Sequence, residues 1–251
     1  MAFLSPDNVR YDNGVKICEK IIPDSAVWNR DVKEGGYTYR KGTTYKANRP
    51  LSAIKGVTIH NTGRIKIPNG TTMAEQYTRA TYPNCNMGSV RVHYYVDENE
   101  AWQNLDEGEV GWHAADGNYG PGNSTTIAIE IIMDGTDAEY NRIAEDNGAR
   151  LCAAILKRHG LDETAVYQHH DWYARKDCPV YIRPHWSAFL ALVRQYLNDD
   201  TRVPSDYDKL LAELEELKDK YNTEHASAQA LRGRILAAIE QYDTAAYDKE
   251  G

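Results

Sequence analysis

Two stretches of the chain alternate apolar and polar residues in a way that predicts β-strands. In the stretch 56–61, a period of two directs Val57 and Ile59 to one face and His60 to the other. In the stretch 126–133, a run of β-branched residues predicts a buried strand. Its single charged residue, Glu130, points opposite to Ile129 and Ile131. Both strands are therefore expected to hold a polar side chain in an otherwise apolar setting.

The rest of the first 200 residues alternates between strand patterns and helix patterns. Strands are predicted at 15–22, 90–97, 101–105 and 166–169, and helices at 72–80, 137–159 and 186–197. A glycine- and asparagine-rich loop at 111–124 interrupts them, and so long a loop in a compact domain is usually functional. Strands separated by helices predict an α/β fold with a central mixed β-sheet flanked by helices.

The segment 206–247 follows a heptad period, with a weak middle at Glu224 and Gly233. The a positions are Tyr207, Leu214, Tyr221, Ala228, Ile235 and Tyr242, and the d positions are Leu210, Leu217, Glu224, Leu231, Ala238 and Ala245. This pattern predicts a coiled coil or a helical hairpin, joined by a polar linker at 199–205 to a first domain at 1–198. A helix this long cannot bury its apolar stripe alone. We favour a homodimer through this segment, with a folded-back hairpin as the structural alternative.

Composition and charge narrow the classes of partner. The 251 residues carry a formal net charge of −8, which argues against nucleic acid as a partner. Eighteen tyrosines and five tryptophans, against two phenylalanines, suit partly wet surfaces such as saccharide clefts, or reflect a compositional habit of the source. No stretch approaches 18 consecutive apolar residues, so no membrane span is expected.

The cysteines and the first residues indicate the compartment. The four cysteines show no disulfide-framework spacing, and the first residues lack the basic and apolar regions of a signal peptide. We therefore expect synthesis in the cytoplasm, where a reduced Cys178 is available as a metal ligand.

Metal-binding chemistry is concentrated in the stretch 167–179, which contains His169, His170 and Cys178. With His60, one of these two histidines and the thiolate supply two nitrogen ligands and one sulfur ligand, a set that suits tetrahedral Zn²⁺. Three protein ligands leave the fourth position for water, which is typical of a catalytic zinc site. On chemistry alone, either histidine can complete the set.

Two charged residues add proton transfer and charge stabilisation to this set. Burial raises the pKa of a carboxylate, which suits Glu130 to accept a proton from a nearby water. Lys176 lies two residues before Cys178 and could stabilise an oxyanion. The alternative is structural: Glu130 and Lys176 could form a core salt bridge, and His60 could be an ordinary core histidine.

Several separated motifs occur along the chain in one order. They are Gly56-Val-Thr-Ile-His-Asn-Thr-Gly63, Val92-His-Tyr-Tyr-Val-Asp97, Gly111-Trp-His-Ala-Ala-Asp-Gly117, Asn123-Ser-Thr-Thr-Ile-Ala-Ile-Glu-Ile131, Gln168-His-His-Asp-Trp172 and Lys176-Asp-Cys-Pro179. From about residue 48 to residue 197, the sequence resembles the zinc-dependent N-acetylmuramoyl-L-alanine amidases of the Amidase_2 family. That family is related to the peptidoglycan recognition proteins.

The resemblance implies roles for the matched residues. His60, His169 and Cys178 match the zinc ligands, and His169 keeps the family's register better than His170 does. Glu130 matches a catalytic glutamate, because the tyrosine that another branch uses is here Val92. Of the remaining positions, Lys176 matches a residue that stabilises the transition state, and Asn61, His93, Trp112 and His113 match positions in or near the substrate cleft.

The activity implied is hydrolysis of the amide between the lactyl group of N-acetylmuramic acid and L-alanine in bacterial peptidoglycan, using a zinc-activated water. A lytic domain made in the cytoplasm fits a phage or prophage endolysin that reaches the cell wall after holin-type release. The alternative class is a recognition module that binds peptidoglycan without cutting it. Such members lack the thiolate, so Cys178 favours an enzyme. The segment 206–247 has binding to the cell wall as an alternative role, and the segment 1–47 carries no pattern that predicts a role.

Overall fold

The structure, a computed structural model, describes residues 4–34, 36–82 and 84–198, together with positions 220, 221, 223, 225, 226, 228 and 230–232. The chain divides into two compact units, residues 1–200 and residues 201–251. The candidate site lies in the first unit.

A mixed β-sheet of seven strands forms the centre of the first unit. The strands of the described residues are β1 (Asn8–Asp12), β2 (Val15–Glu19), β3 (Val32–Glu34), β4 (Tyr37–Tyr39), β5 (Gly56–Gly63), β6 (Tyr94–Val96), β7 (Ala101–Gln103), β8 (Thr126–Met133) and β9 (Val166–Gln168). The sheet order is β1-β2-β7-β6-β8-β5-β9, while β3 and β4 form a separate hairpin. β1 with β2 and β6 with β7 are antiparallel, and the other pairs of neighbours are parallel.

The pairing of β5 with β8 is the longest in the sheet and fixes its register. It runs without interruption from Gly56 opposite Thr126 to Gly63 opposite Met133. Both strands are rich in β-branched residues; β8 is buried except for Glu130, and β5 is buried from Gly56 to His60, as expected for parallel strands covered on both faces.

Helices cover both faces of this sheet. They are α1 (Met73–Thr81), α2 (Pro121–Thr125), α3 (Ala138–Arg158), α4 (His169–Trp172) and α5 (Trp186–Asn198). Thr72 caps α1 and Asp137 caps α3, each through a side-chain oxygen that accepts a backbone N–H in the first turn. On the face of α1, Tyr77 stacks on Tyr95 of β6 with ring centroids 5.3 Å apart.

On the opposite face, α3 lies directly on β8. Gly148 allows this approach, because a Cβ at that position would lie only 2.3 Å from Cδ1 of Ile131. α5 packs in turn on α3, burying Phe189 and Val193. The apolar core therefore continues from the sheet through two layers of helix.

The predicted fold class is confirmed: the first unit is an α/β fold with a central mixed sheet flanked by helices. The strands predicted at 56–61 and 126–133 and the helices predicted at 72–80, 137–159 and 186–197 are all present. The sequence did not predict β1, β3, β4, α2 or α4, which are short, and the strand predicted at 166–169 ends at Gln168. α2 lies inside the predicted loop 111–124 and begins with Pro121 at its first position, a start signal that was overlooked.

The described positions of the second unit are helical, within the segment for which heptads predict a helix. Tyr221 and Leu231, at predicted a and d positions, are 65% and 57% exposed. The linker 199–205 and all other heptad positions except Ala228 lie outside the described residues. Among the helices that the structure describes, none combines the length and the apolar character that a bilayer crossing requires.

Candidate metal centre

Sheet register brings three predicted site residues to one level of three adjacent strands. His60 on β5 is paired with Glu130 on β8. On the other side of β5, Ile59 pairs with Gln168 at the end of β9, so His169 follows at the level of His60. Paired residues of neighbouring strands project to the same face. His169, His60 and Glu130 therefore form one row, called here the polar row.

A short turn separates the two adjacent histidines. Asp171 accepts a hydrogen bond from the N–H of Gln168 at 2.8 Å, and this turns the chain from β9 directly into α4. His169 is thereby buried, with 3% exposure. His170 lies at the edge of the site, and its Nδ1 is 3.0 Å from the carbonyl oxygen of Lys176. The structure brings His169 into the site and leaves His170 outside it.

Asn61 positions the segment that contains Cys178. Its Nδ2 donates to the carbonyl of Ile131 at 3.1 Å, and its Oδ1 accepts the N–H of Tyr181 at 3.0 Å. Its own N–H points at Sγ of Cys178 at 3.5 Å. Because both ends of the Asn61 side chain are bonded to main chain, it ties the segment 178–181 to the sheet.

The ligand atoms of His60, His169 and Cys178 all lie within 4.8 Å of one another. Nδ1 of His60 is 3.0 Å from Nδ1 of His169 and 3.9 Å from Sγ of Cys178. All three side chains are buried. In the described part of the chain, this is the one cluster of three or more His, Cys, Asp or Glu side chains with that geometry.

The imidazoles of this cluster are held neutral. Burial lowers the pKa of His60 well below its usual value, and the nearby His113, His169 and Lys176 lower it further. Burial, assisted by the charge of Lys176, lowers the pKa of His169 to about 4. Neutral imidazole is the form that binds metal, so both rings are ready to act as ligands at neutral pH.

The donor set fits Zn²⁺. Ligand atoms around tetrahedral zinc are about 3.3 Å apart for two nitrogens and about 3.6 Å for nitrogen and sulfur, close to the 3.0 Å and 3.9 Å measured from Nδ1 of His60. Two Nδ1 atoms that face each other at 3.0 Å require either a shared proton or a cation between them. Burial and the charge of Glu130 raise the pKa of the Cys178 thiol to about 12. Its thiolate therefore needs a compensating cation, which a metal provides.

Glu130 stands beside this cluster and is partly exposed, in contrast to its buried neighbours on β8. Its Oε2 has no hydrogen-bond partner among the described residues. Burial raises the pKa of Glu130 to about 7, against a smaller opposing effect of Lys176. The nearest phenol in register, Tyr95, bonds to Thr81 at 2.9 Å. Glu130 is thus an uncommitted carboxyl group that can gain or lose a proton near neutral pH.

Lys176 is exposed, and its charge acts on the whole cluster. It lowers the pKa values of Glu130, His60 and His169, although burial acts more strongly on each of these groups. Within the described residues it forms no ion pair with Glu130, so the core salt bridge considered above is not present.

His113 orients His60 from behind. Its Nδ1 is 3.1 Å from Nε2 of His60, and the ring is only 6% exposed. Asn123 holds the main chain there, because its Oδ1 accepts the N–H groups of His113 and Ala114 at 2.8 and 2.9 Å. Asn123 was not singled out from the sequence. Its signal was an asparagine in a glycine-rich loop, where amide side chains commonly bond to main chain.

His93 and Trp112 are not members of the metal cluster. His93 is fully buried: its Nδ1 accepts the N–H of Ala128 at 3.0 Å, so its Nε2 carries the proton and donates to the carbonyl of Glu109 at 2.9 Å. Both nitrogens are committed to main chain, and His93 braces the sheet. Trp112 is partly exposed and lines a separate cavity.

Comparison with known proteins agrees with this fold and site. Residues 50–181 match the family Amidase_2, described as N-acetylmuramoyl-L-alanine amidase. The N-acetylmuramoyl-L-alanine amidase CwlH of Bacillus subtilis (strain 168) is 32% identical over 145 residues, covering 57% of this chain and 55% of that protein. The amidase XlyA of the same organism is 32% identical over 146 residues, covering 57% of this chain and 46% of that protein. This chain spans about half the length of these relatives.

Two solved structures are similar to this chain over a larger share of its length. The catalytic domain of XlyA is 26% identical, with a TM-score of 0.55, over 71% of this chain and 99% of that one. A mutant endolysin from Bacillus subtilis is 28% identical, with a TM-score of 0.53 and the same two coverages. The family match covers more than half of the residues, and the chain belongs to the Amidase_2 family of N-acetylmuramoyl-L-alanine amidases.

Proposed function

We propose that this chain hydrolyses the amide bond between the lactyl group of N-acetylmuramic acid and L-alanine in peptidoglycan, with Zn²⁺ as its cofactor. The observation that carries this proposal is the buried cluster of His60, His169 and Cys178 beside the uncommitted carboxyl group of Glu130. Membership of the amidase family supports the choice of bond.

His60, His169 and Cys178 would hold the metal through the two facing Nδ1 atoms and Sγ. When bound, zinc supplies Lewis-acid chemistry, which polarises a carbonyl group and increases the acidity of water. The surrounding residues keep the ligands in position. His113 fixes the tautomer of His60 through its Nε2, and the N–H of Asn61 donates to the sulfur.

Glu130 would move the proton. Its pKa of about 7 lets its carboxylate accept a proton from the attacking water at neutral pH. The protonated acid can then return that proton to the nitrogen of L-alanine as the amide bond breaks. A carboxyl group with hydrogen bonds to other side chains would serve this role less well, and Oε2 of Glu130 has none among the described residues.

Lys176 would stabilise the negative charge that develops on the amide carbonyl oxygen. It is exposed beside the cluster, and its positive charge already acts on Glu130 and on both histidines. A cation that faces the developing oxyanion lowers the barrier for acyl transfer.

The test is product analysis on peptidoglycan of defined composition. The wild-type chain should release stem peptides with a free L-alanine amino group and leave lactyl carboxylates on the glycan, as read by mass spectrometry. Glu130→Gln should bind the same amount of zinc and fold equally well, yet lose about 10²- to 10⁴-fold in rate. Cleavage of a different bond, or a wild-type rate for Glu130→Gln, would contradict the proposal.

The same experiment separates the enzyme from a recognition module. A chain that sediments with peptidoglycan and binds one equivalent of zinc but releases no peptide would be a binding module. We favour catalysis, because the thiolate ligand and the free carboxyl group of Glu130 have no use in binding alone.

We further propose that the chain acts as an endolysin on the cell wall. The likeness to a solved structure described as an endolysin supports this role. Cells that express the chain together with a pore-forming holin should lyse, whereas cells that express the chain alone or the Glu130→Gln variant with holin should not. Equal lysis by the wild type and the Glu130→Gln variant would argue against it.

A further inference from the structure

A cavity of about 170 Å³ is lined by none of the three residues of the metal cluster. One wall comes from the segment 28–47, which contributes Trp28, Tyr39 and Tyr45. The opposite wall comes from Arg91 and from the loop around Trp112. The first wall precedes residue 50, where the family match begins, so it belongs to the N-terminal part of this chain. We call this cavity the aromatic pocket.

Arg91 is a buried cation that forms no ion pair with a carboxylate of the described residues. Burial lowers the pKa of its guanidinium, against a weaker opposing effect of the nearby charge of Glu34. Arg91 is 7% exposed, and its guanidinium carbon lies 4.3 Å from the ring centroid of Tyr45 and 5.2 Å from that of Trp28. Nη1 donates to the carbonyl of Ser89, while Nε has no partner among the described residues. Cation–π contacts offset part of the cost of burying this charge. They leave donors of the guanidinium unused.

The other charges around the aromatic pocket favour an anion. Lys46 also lines it, but Asp24 and Glu109 already neutralise this cation at 2.8 and 2.7 Å. No aspartate or glutamate of the described residues lines the aromatic pocket, although the chain carries a net charge of −8. A carboxylate that entered would meet the unpaired guanidinium, which matches carboxylate geometry.

The rings suit a sugar. Trp28 and Tyr45 are each 1% exposed and form the inner wall, whereas Tyr39 and Trp112 are partly exposed and present ring surface to the aromatic pocket. Tyrosine and tryptophan offer flat apolar faces with a polar edge, which suits the apolar face of a pyranose ring. The combination of ring faces and a free guanidinium selects a sugar that bears a carboxylate.

We propose that the aromatic pocket binds N-acetylmuramic acid whose lactyl carboxylate is free, with the sugar on Tyr39 and Trp112 and the carboxylate on Arg91. This inference rests on the proposed function, because hydrolysis of the lactyl amide is the step that exposes that carboxylate on the glycan. The aromatic pocket would then hold the enzyme on glycan that it has already cut. It would keep the metal centre close to neighbouring, uncut units.

The test is titration calorimetry of the full chain with N-acetylmuramic acid. N-acetylglucosamine is the matched ligand, because it has the same ring without the lactyl carboxylate. We expect it to bind at least tenfold more weakly. Equal binding of the two sugars would overturn the proposal, as would tighter binding of a peptide that begins with L-alanine and carries no sugar.

Two site variants place the ligand. Ala47 is exposed and lines the aromatic pocket, so Ala47→Trp should fill the cavity without loss of a buried contact. It should weaken the binding of N-acetylmuramic acid at least tenfold. Lys41→Trp, at an exposed position of the same segment outside the aromatic pocket, is the control and should bind like the wild type. Arg91→Lys keeps the charge but loses the planar fork, and should lose preference between the two sugars. Wild-type binding by Ala47→Trp would overturn the proposal.

His60→Ala separates this proposal from the proposed function. It removes a metal ligand and should leave binding of N-acetylmuramic acid unchanged. Loss of binding in His60→Ala together with retention in Ala47→Trp would place the sugar at the metal centre and overturn the proposal. A chain that binds the acidic sugar in the aromatic pocket but releases no stem peptide would refute the proposed function alone.

Discussion

At the scale of single residues, the adjacent His169 and His170 have opposite surroundings. The ring of His169 is buried and faces His60 at 3.0 Å, while the ring of His170 faces a carbonyl group at the edge. Asp171 causes this difference, because it starts the helical turn immediately after β9. One side-chain hydrogen bond thus decides which of two identical residues can bind metal.

We predict that His169→Ala and His170→Ala differ in zinc affinity. Removal of His169 takes away a ligand and should weaken zinc binding by more than about 100-fold, beyond the 10- to 100-fold typical of residues that only orient ligands. His170→Ala should stay within a few-fold of the wild type. Competition with a chromophoric chelator measures both, and equal losses in the two variants would contradict the assignment.

Part of the site could be predicted from the residues and part could not. Strand periodicity predicted that His60 and Glu130 lie in similar environments, because each is a polar side chain within an otherwise apolar strand. The roles of His93 and Asn61 were beyond the sequence, since both depend on main-chain groups far away along the chain. Whether a polar side chain faces a substrate or a carbonyl group is decided by tertiary packing.

At the scale of elements, the contact between α3 and β8 depends on a missing side chain. Gly148 is buried, and a Cβ there would lie 2.3 Å from Cδ1 and 2.8 Å from Cγ1 of Ile131, which is itself fully buried. Neither the sheet nor the helix can move away without disturbing the core.

Gly148→Ala should therefore destabilise the protein despite its better helix propensity. Overpacking of this kind costs about 1–3 kcal/mol, against a propensity gain of about 1 kcal/mol. Ile131→Val removes Cδ1 but keeps Cγ1, so it should restore part of the lost stability in the Gly148→Ala background while it costs about 0.5–1.5 kcal/mol alone. Urea unfolding of the four proteins measures the coupling, and simple additivity would contradict the packing argument.

An ionic cluster joins the C-terminal end of α3 to β6. Glu107 accepts hydrogen bonds from Arg158 at 2.8 Å, His159 at 2.6 Å and Tyr94 at 2.8 Å. Burial raises the pKa of Glu107, but these hydrogen bonds outweigh burial and hold the net pKa below its usual value. The carboxylate form is therefore stabilised in the folded state.

This lowered pKa predicts how stability depends on pH. The contribution of Glu107 should be complete above its unfolded pKa near 4.5 and should disappear as pH falls through the lower folded pKa. At pH 7, Glu107→Gln should lower the free energy of unfolding by about 1–3 kcal/mol. The gap between variant and wild type should narrow as pH falls below 4.5, as read by urea unfolding. A gap that widens on acidification would contradict this sign.

The long central elements followed from the pattern of residues, whereas short ones did not. β5, β8 and α3 each repeat their period several times, so local pattern and tertiary packing agree. β3 and β4 have three residues each, too few for any period to show. Their place is fixed by packing around Trp28 and Tyr45, which only the folded chain brings together.

At the scale of the whole molecule, the two compact units of the chain differ in what holds them together. The first unit has a continuous apolar core around its sheet. In the second unit, Tyr221 and Leu231 are exposed on a helix. The proposed division into a catalytic domain at 1–198, a linker at 199–205 and a helical segment at 206–247 stays a prediction.

We predict that the second unit makes the chain a dimer. Light scattering at micromolar concentration should give twice 28.4 kDa for the full chain and a single-chain mass for a version that ends at residue 198. A helix with an apolar heptad stripe is expected to pair through that stripe with a second copy. A single-chain mass for the full protein would favour the helical hairpin.

The polar row affects how the protein tolerates substitution of its site residues. Its alignment comes from the other face of the same strands, where Ile59 pairs with Ile129 and the isoleucines of β8 contact α3. A slip of one residue would exchange the two faces and bury charge in the core. The apolar face therefore fixes the register that aligns the polar row. Substitution of His60 or Glu130 by another ligand or base should therefore leave the strand register unchanged. The same sheet could then support a different hydrolytic reaction after substitution of single side chains in the polar row.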